Sequence, residues 1–195
     1  VIAALTLVMA SLAGPMDDSA RLRLGRPDVH GWAAVYLASQ VTNINEEKRK
    51  DMQDVFIEET LNSGIDPILV LAIIATESSF NAKAISIANC RGLMQLSRPT
   101  ALWMADLEGL GRVDEFDPTH NIRIGIRYLL RILKSFKNLE LSLMAYNVGP
   151  TAIGEAYAKK SILSEHRVYP ARVKSFYKKF RLYHAFDKVT FQESD

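Results

Sequence analysis

The sequence predicts a mainly α fold: a helical bundle around one buried central helix, with a small β element confined to a single loop. Three observations carry this reading. Apolar residues recur at intervals of three and four through most of the chain. Ile68 to Ala75 (ILVLAIIA) is apolar on every side, as befits a helix at the centre of a domain. Strand-like alternation is scarce, and the most irregular stretch, Asn81 to Arg91, is where a β element would fit.

A chain of 195 residues suits one domain, or one domain with a short appendage. Its 48% apolar content fills a sizeable core and excludes wholesale disorder. The net charge of +2 argues against a dedicated nucleic-acid binder, which carries a strong basic excess, and leaves room for an enzyme with an acidic polymeric substrate. The single cysteine, Cys90, excludes an intrachain disulfide and a cysteine-rich zinc site. His30, His120, His166 and His184 form no HxxxH or HExxH pair, so no helix-borne metal site is expected. No phosphate-binding glycine loop is present either, and Gly109-Leu110-Gly111 reads as a surface turn. The expected metal and cofactor content is none.

In chain order, residues 1–15 (VIAALTLVMASLAGP) resemble the hydrophobic core and cleavage region of a secretory signal. With no methionine or basic leader ahead of it, the segment is read as a buried helix of the mature protein in preference to a signal remnant. It is too short for a membrane span, which takes ~20 apolar residues. Asp17, Asp18, Arg21, Arg23, Arg26 and Asp28 then mark a mixed-charge connector, and Gly31 to Val41 reads as a helix. Asn43-Ile44-Asn45 breaks it, which sets the expected boundary: an N-terminal helical appendage over 1–45 and the main domain over 46–195.

Lys48 to Leu61 forms the next helix, with Met52, Val55 and Phe56 on one face, and Asn62-Ser63-Gly64 ends it. Asp66-Pro67 opens the central helix, Asp66 as the cap and Pro67 at the first helical position, where its missing N–H costs nothing. The same signal recurs at Asp117-Pro118, ahead of a long helix with Ile122, Ile126, Leu129, Leu133 and Phe136 on one stripe. A shorter apolar helix spans Leu139 to Ala145, and Asn147 to Pro150 reads as its stop. Near the C-terminus, Val173, Phe176, Tyr177 and Phe180 form an aromatic stripe beside Lys174, Lys178, Lys179 and Arg181. A surface helix docked by that stripe, lysines outward, is expected ahead of a membrane or nucleic-acid helix.

The central helix ends in Thr76-Glu77-Ser78-Ser79-Phe80. A carboxylate closing an apolar run is unusual, because desolvation and the negative pole of the helix C-terminus both disfavour its charge. The resulting upward pKa shift is what a general acid near neutral pH requires, although a helix-terminal glutamate can also simply point to water. Further segments add weight: Gly92-Leu93-Met94-Gln95, then Asn121 to Leu129 (NIRIGIRYL), then Ala145-Tyr146-Asn147-Val148-Gly149-Pro150. In this order and spacing they resemble the catalytic domain of the soluble lytic transglycosylase family, which is related to goose-type lysozyme. The resemblance covers residues from Glu46 to Asp187 and implies an α+β lysozyme-like fold.

It also implies roles, position by position. Glu77 matches the catalytic glutamate of the E-S-x-F motif, and Ser86 matches a serine near the cleaved sugar. Met94 and Gln95 match the groove-lining pair of G-L-M-Q, and Tyr146 and Asn147 match the A-Y-N motif on the opposite wall. Tyr169 resembles a late tyrosine that orients the glutamate, with Pro170 in place of the more usual valine. The family's Ala-Gly-Ala-x-Gly is replaced here by Ala88-Asn89-Cys90-Arg91-Gly92. Asn tolerates left-handed geometry better than most residues, so the loop is expected to keep its course with altered side chains in the groove. Cys90 itself is expected to be a small buried hydrophobe.

The implied activity is cleavage of the β-1,4 bond between N-acetylmuramic acid and N-acetylglucosamine in peptidoglycan by a single glutamate, giving 1,6-anhydro ends. Hydrolysis would need a second carboxylate to position water, for which Glu58, Glu59, Asp106, Glu108, Asp114 and Glu115 are candidates. The alternatives are a lysozyme-type hydrolase, in one form selective for deacetylated glycan, and a glycan-binding module without activity. The implied partner is the glycan strand, met by a monomeric periplasmic or secreted protein.

Overall fold

The computed structural model describes residues 28–42 and 44–192, with side chains through Asp187. The apolar segment 1–15, most of the connector and Asn43 lie outside the described residues.

Most of the described chain is helical: α1 (Val29–Gln40), α2 (Glu46–Ser63), α3 (Pro67–Ser78), α4 (Arg98–Leu107), α5 (Pro118–Phe136), α6 (Leu139–Val148), α7 (Pro150–Ala158), a 3-10 turn (Ser164–Arg167) and α8 (Val168–Gln192). Local chemistry sets most of the ends. The Asp66 side chain accepts from the Ile68 N–H at 2.9 Å, and Asp117 does the same for Thr119 at 2.9 Å, each ahead of a proline. Asn45 caps α2 through the Lys48 N–H, and Gly64, at φ +67°, closes that helix in the left-handed conformation that glycine adopts without strain.

The central position of α3 follows from its sequence. Ile68, Leu71, Ile73 and Ile74 have no exposed surface, and α8 lies along the helix through Val173 and Phe180. The basic residues Lys174, Lys178, Lys179 and Arg181 of α8 are exposed, as a docked surface helix requires. Met52 and Phe56 bring α2 into the same core, and α5 packs across α2. α1 shares that core through Trp32 and Leu37, and the Trp32 indole N–H donates to Asp187 near the far end of α8 at 2.8 Å.

Charge fixes the α2–α5 contact. Glu59 is 3% exposed, and Arg127 grips its two carboxylate oxygens at 2.9 and 2.8 Å while Arg123 approaches at 3.3 Å. A buried carboxylate needs such pairing to stay charged.

Between α3 and α4 the chain forms the irregular loop. Its β element amounts to two single-pair antiparallel bridges, Ile85–Arg91 and Arg91–Leu96. Two helices depart from the sequence reading. α4 has only Ala101, Met104 and Ala105 buried and carries several exposed apolar side chains, which blurs its periodicity. Pro150 does end α6, but it also starts α7, because proline is as well suited to a first helical turn as to a stop. Gly109-Leu110-Gly111 is the surface turn expected, both glycines having positive φ.

Candidate active site

Glu77 sits in the last turn of α3, where the apolar helix meets the surface, and faces a cleft of about 480 Å³. The loop after α3 supplies Ser86, Ala88, Cys90 and Gln95 to the lining, α4 and its cap supply Ser97 and Thr100, and α5 supplies Tyr128. Tyr146 and Asn147 line it from the end of α6, and Tyr169 and Arg172 from the start of α8. Six of the seven residues singled out from the sequence therefore meet in one cleft.

Met94 is the exception. It was expected to line the groove beside Gln95, yet its side chain is fully buried and packs against Gly125 of α5. A Cβ at Gly125 would stand 2.3 Å from the Met94 sulfur, so the glycine makes room for the methionine. Met94 reaches the site only through its backbone, whose carbonyl accepts from the Tyr146 hydroxyl at 2.9 Å.

Its neighbours show how the loop is held. Asn121, 1% exposed at the start of α5, accepts from the Met94 N–H at 2.7 Å and donates to the carbonyls of Arg91 at 2.9 Å and Glu115 at 2.8 Å. One buried amide thus ties three points of backbone together. Gly92 allows this closeness: a Cβ there would lie 2.2 Å from the Glu115 carbonyl oxygen and 2.3 Å from Asn121 Nδ2. Gln95 adds a fourth tie, its amide donating to Gly92 at 2.9 Å and Ala84 at 3.2 Å.

Asn89, where the resemblance leads one to expect glycine, has φ +59° and thus occupies the left-handed region. The loop keeps its course and presents Ala88 and Cys90 to the cleft. Cys90 is half-buried in the cleft wall rather than sequestered in the core, and Leu93 and Met94 of the same loop take interior positions instead. Ser86 is exposed, and its hydroxyl accepts from the Cys90 N–H at 3.1 Å.

The electrostatics centre on Glu77. Burial pushes its pKa up from 4.5 to about 7, against the opposing influence of the Tyr169 hydroxyl, which donates to Oε1 at 2.6 Å, and of the Arg172 guanidinium. Burial together with the Glu77 charge holds Tyr169 and Tyr146 well above the usual tyrosine range, so both remain hydroxyl donors. Such a carboxyl, protonated near neutral pH and fixed in orientation, is suited to giving a proton and taking one back.

Glu77 is the one carboxylate among the described residues that line the cleft. The other candidates are engaged or outward. Glu58 pairs with Arg123, Glu59 with Arg123 and Arg127, Glu108 with Arg127, and Glu115 with Arg98. Asp106 is exposed on α4, and Asp114 accepts from the Phe116 N–H. Among the described residues no group of three histidine, cysteine or acidic side chains is arranged to hold a metal.

Sequence reasoning missed Arg172 and Tyr128. Tyr128 lies in the NIRIGIRYL segment, where nothing in the sequence marks it as facing a cleft. Arg172 had the signal of its spacing, one turn after Tyr169 on the same helix face, but its effect on Glu77 depends on α8 crossing the end of α3.

The family model described as the transglycosylase SLT domain matches residues 54–167. The membrane-bound lytic murein transglycosylase C of Haemophilus influenzae is 33% identical over 127 residues, a match covering 56% of this chain and 35% of that protein. The membrane-bound lytic murein transglycosylase E of Buchnera aphidicola is 31% identical over 125 residues, covering 57% and 59% respectively. Among solved structures, the 70-kDa soluble lytic transglycosylase of Escherichia coli superposes with a TM-score of 0.57 at 23% identity, over 83% of this chain and 30% of that one. That likeness shows the fold, and the chain spans only part of the length of each of these proteins.

Proposed function

This chain belongs to the transglycosylase SLT domain family, and from that membership and the chemistry of its cleft we propose that it cleaves the β-1,4 bond between N-acetylmuramic acid and N-acetylglucosamine in peptidoglycan, leaving 1,6-anhydromuramyl ends. The observation that carries the reading is a cleft whose single carboxylate, among the described lining residues, has a pKa of about 7.

Glu77 starts protonated and gives its proton to the glycosidic oxygen, which departs with the electron pair of the breaking bond. The muramyl 2-acetamido oxygen bonds to the anomeric carbon and takes up the developing positive charge, the substrate-assisted exception to the two-carboxylate scheme. Glu77, now ionised, accepts the proton of the muramyl 6-hydroxyl. That oxygen closes on the anomeric carbon, displaces the acetamido oxygen and completes the anhydro ring. Glu77 ends protonated, and no water is consumed. A hydrolase would ordinarily need a second carboxylate to position water, and the other acidic residues considered are paired or directed elsewhere.

Tyr169 fits the task of fixing the Glu77 carboxyl, and Tyr146, anchored on the Met94 carbonyl, that of a rigid opposite wall. Ser86, Gln95 and Asn147 are proposed to contact the sugars. Action as a monomer is proposed, since one chain supplies both the acid and the residues around it. Such a substrate implies an envelope location, periplasmic or secreted. Among the described residues no helix is long and apolar enough to cross a membrane.

The test is digestion of purified sacculi followed by mass spectrometry. Products lighter than hydrolytic muropeptides by one water, about 18 Da, are expected. Reducing ends would mean a lysozyme, and binding without cleavage a non-catalytic module.

A further inference from the structure

The aromatic surface of the cleft continues beyond the lining residues. Ser97 and Thr100 follow each other at a spacing of three on the cleft side of α4, and the next residue in that series is Trp103. Its indole meets Tyr128 edge-on, ring centroids 6.4 Å apart at 89°, and Tyr128 meets Tyr146 at 5.6 Å. Trp103 is therefore joined through Tyr128 to Tyr146, and the last two of these rings line the cleft.

Trp103 differs from a packing residue in what it leaves open. It is 49% exposed, whereas the other tryptophan, Trp32, is 3% exposed in the core. α4 docks through Ala101, Met104 and Ala105 instead. The indole is nevertheless held in place: Tyr128 abuts it, and the Arg131 guanidinium, one turn further along α5, lies over the ring at 5.2 Å. A large apolar ring, held by Tyr128 and Arg131, half exposed and adjoining the cleft through Tyr128, has the form of a stacking platform.

We propose that Trp103 is a sugar-binding platform, on which a unit of the glycan strand beyond those flanking Glu77 stacks its apolar pyranose face. The proposal rests on the glycan-cleaving reading and extends it. Aliphatic C–H groups of a pyranose ring carry slight positive charge and are attracted to the electron-rich indole, while the sugar hydroxyls stay in water. The platform would favour strands long enough to span both Glu77 and Trp103.

The experiment compares KM on uncross-linked glycan strands of many repeats with KM on a peptidoglycan tetrasaccharide, for the wild type, Trp103→Ala and Trp103→Phe. The wild type is expected to prefer long strands, and Trp103→Ala to reduce that preference roughly three- to tenfold through KM, as the loss of one aromatic contact dictates. Trp103→Phe is expected to restore most of it. A second readout needs no turnover: in Glu77→Gln protein, long strands should shift tryptophan emission, and Trp103→Phe should abolish the shift, leaving buried Trp32 as background. Cleavage by the wild type with an unaltered length preference in Trp103→Ala, or an emission shift that survives Trp103→Phe, would overturn the platform alone. Neither cleavage nor binding of glycan by the wild type would overturn the functional reading beneath it.

Discussion

The hydroxyl of Tyr169 donates to Glu77 Oε1 at 2.6 Å, although 92 residues separate the two along the chain. The contact exists because α8 lies along α3, so that the first turn of one helix passes the last turn of the other. It opposes the desolvation that otherwise dominates at Glu77. The acid is thus held in orientation by a bond that weakens its grip on the proton, and burial more than makes up the difference.

Glu77 must be protonated to act, so activity should fall as pH rises through about 7. Glu77→Gln should abolish cleavage of sacculi. Stability provides an independent check. The folded pKa of about 7 lies above the ordinary 4.5, so the group's contribution is fully present below pH 4.5 and is lost as pH rises through 7. Glu77→Gln removes that loss. The variant should be more stable than the wild type at pH 8, by at most about 3 kcal/mol, and equal to it at pH 4. Denaturant unfolding at the two pH values measures both.

Tyr169→Phe deletes a hydrogen bond to the charged form of Glu77 and should therefore move the alkaline limb of the pH–rate profile to higher pH. Arg172→Gln should move it in the same direction, since a nearby cation also favours the carboxylate. A shift to lower pH in either variant would contradict this account of the site.

Asn121→Ala should be costly, because it strands the Glu115 carbonyl and the Met94 N–H in a buried position and takes one of two partners from the Arg91 carbonyl. A loss of about 2–4 kcal/mol is expected in urea unfolding. Gly92→Ala should act on the same knot by steric force, since its Cβ would strike Glu115 and Asn121.

Glu59→Ala should leave Arg123 and Arg127 facing an apolar helix contact without their buried partner. Both arginines retain some contact with water, so a loss of about 2 kcal/mol is expected, smaller than for a fully buried pair. Thermal unfolding at neutral pH tests it.

The features legible in the sequence were those that neighbouring residues determine. Asp66-Pro67 and Asp117-Pro118 mark helix starts because cap and proline act within one turn, and ILVLAIIA announces the central helix because no polar face exists to be exposed. α4 was missed, although the Ser97 cap and Pro99 are local signals, because Leu102, Trp103 and Leu107 put apolar side chains on its exposed face. At the site, the segments around Glu77, Gln95 and Tyr146 were recognisable from order and spacing. That Gln95 faces the cleft while Met94 faces the core was not, because the loop turns over at Gln95, where φ is +49°, and no periodicity governs such a reversal. Arg172 needed the crossing of two distant helices to acquire its role.

The cleft draws its two sides from parts of the molecule with different resistance to opening. Glu77 belongs to α3, which lies at the centre of the core, whereas Ser86, Cys90 and Gln95 belong to a loop held by two single-pair bridges, short turns and the Asn121 and Gln95 side chains. Amide hydrogen exchange should therefore be slowest along α3 and much faster across residues 84–90. On warming, the loop should loosen before the bundle melts. Loss of substrate grip should then precede loss of helical signal, with the proton donor still in place on an intact scaffold.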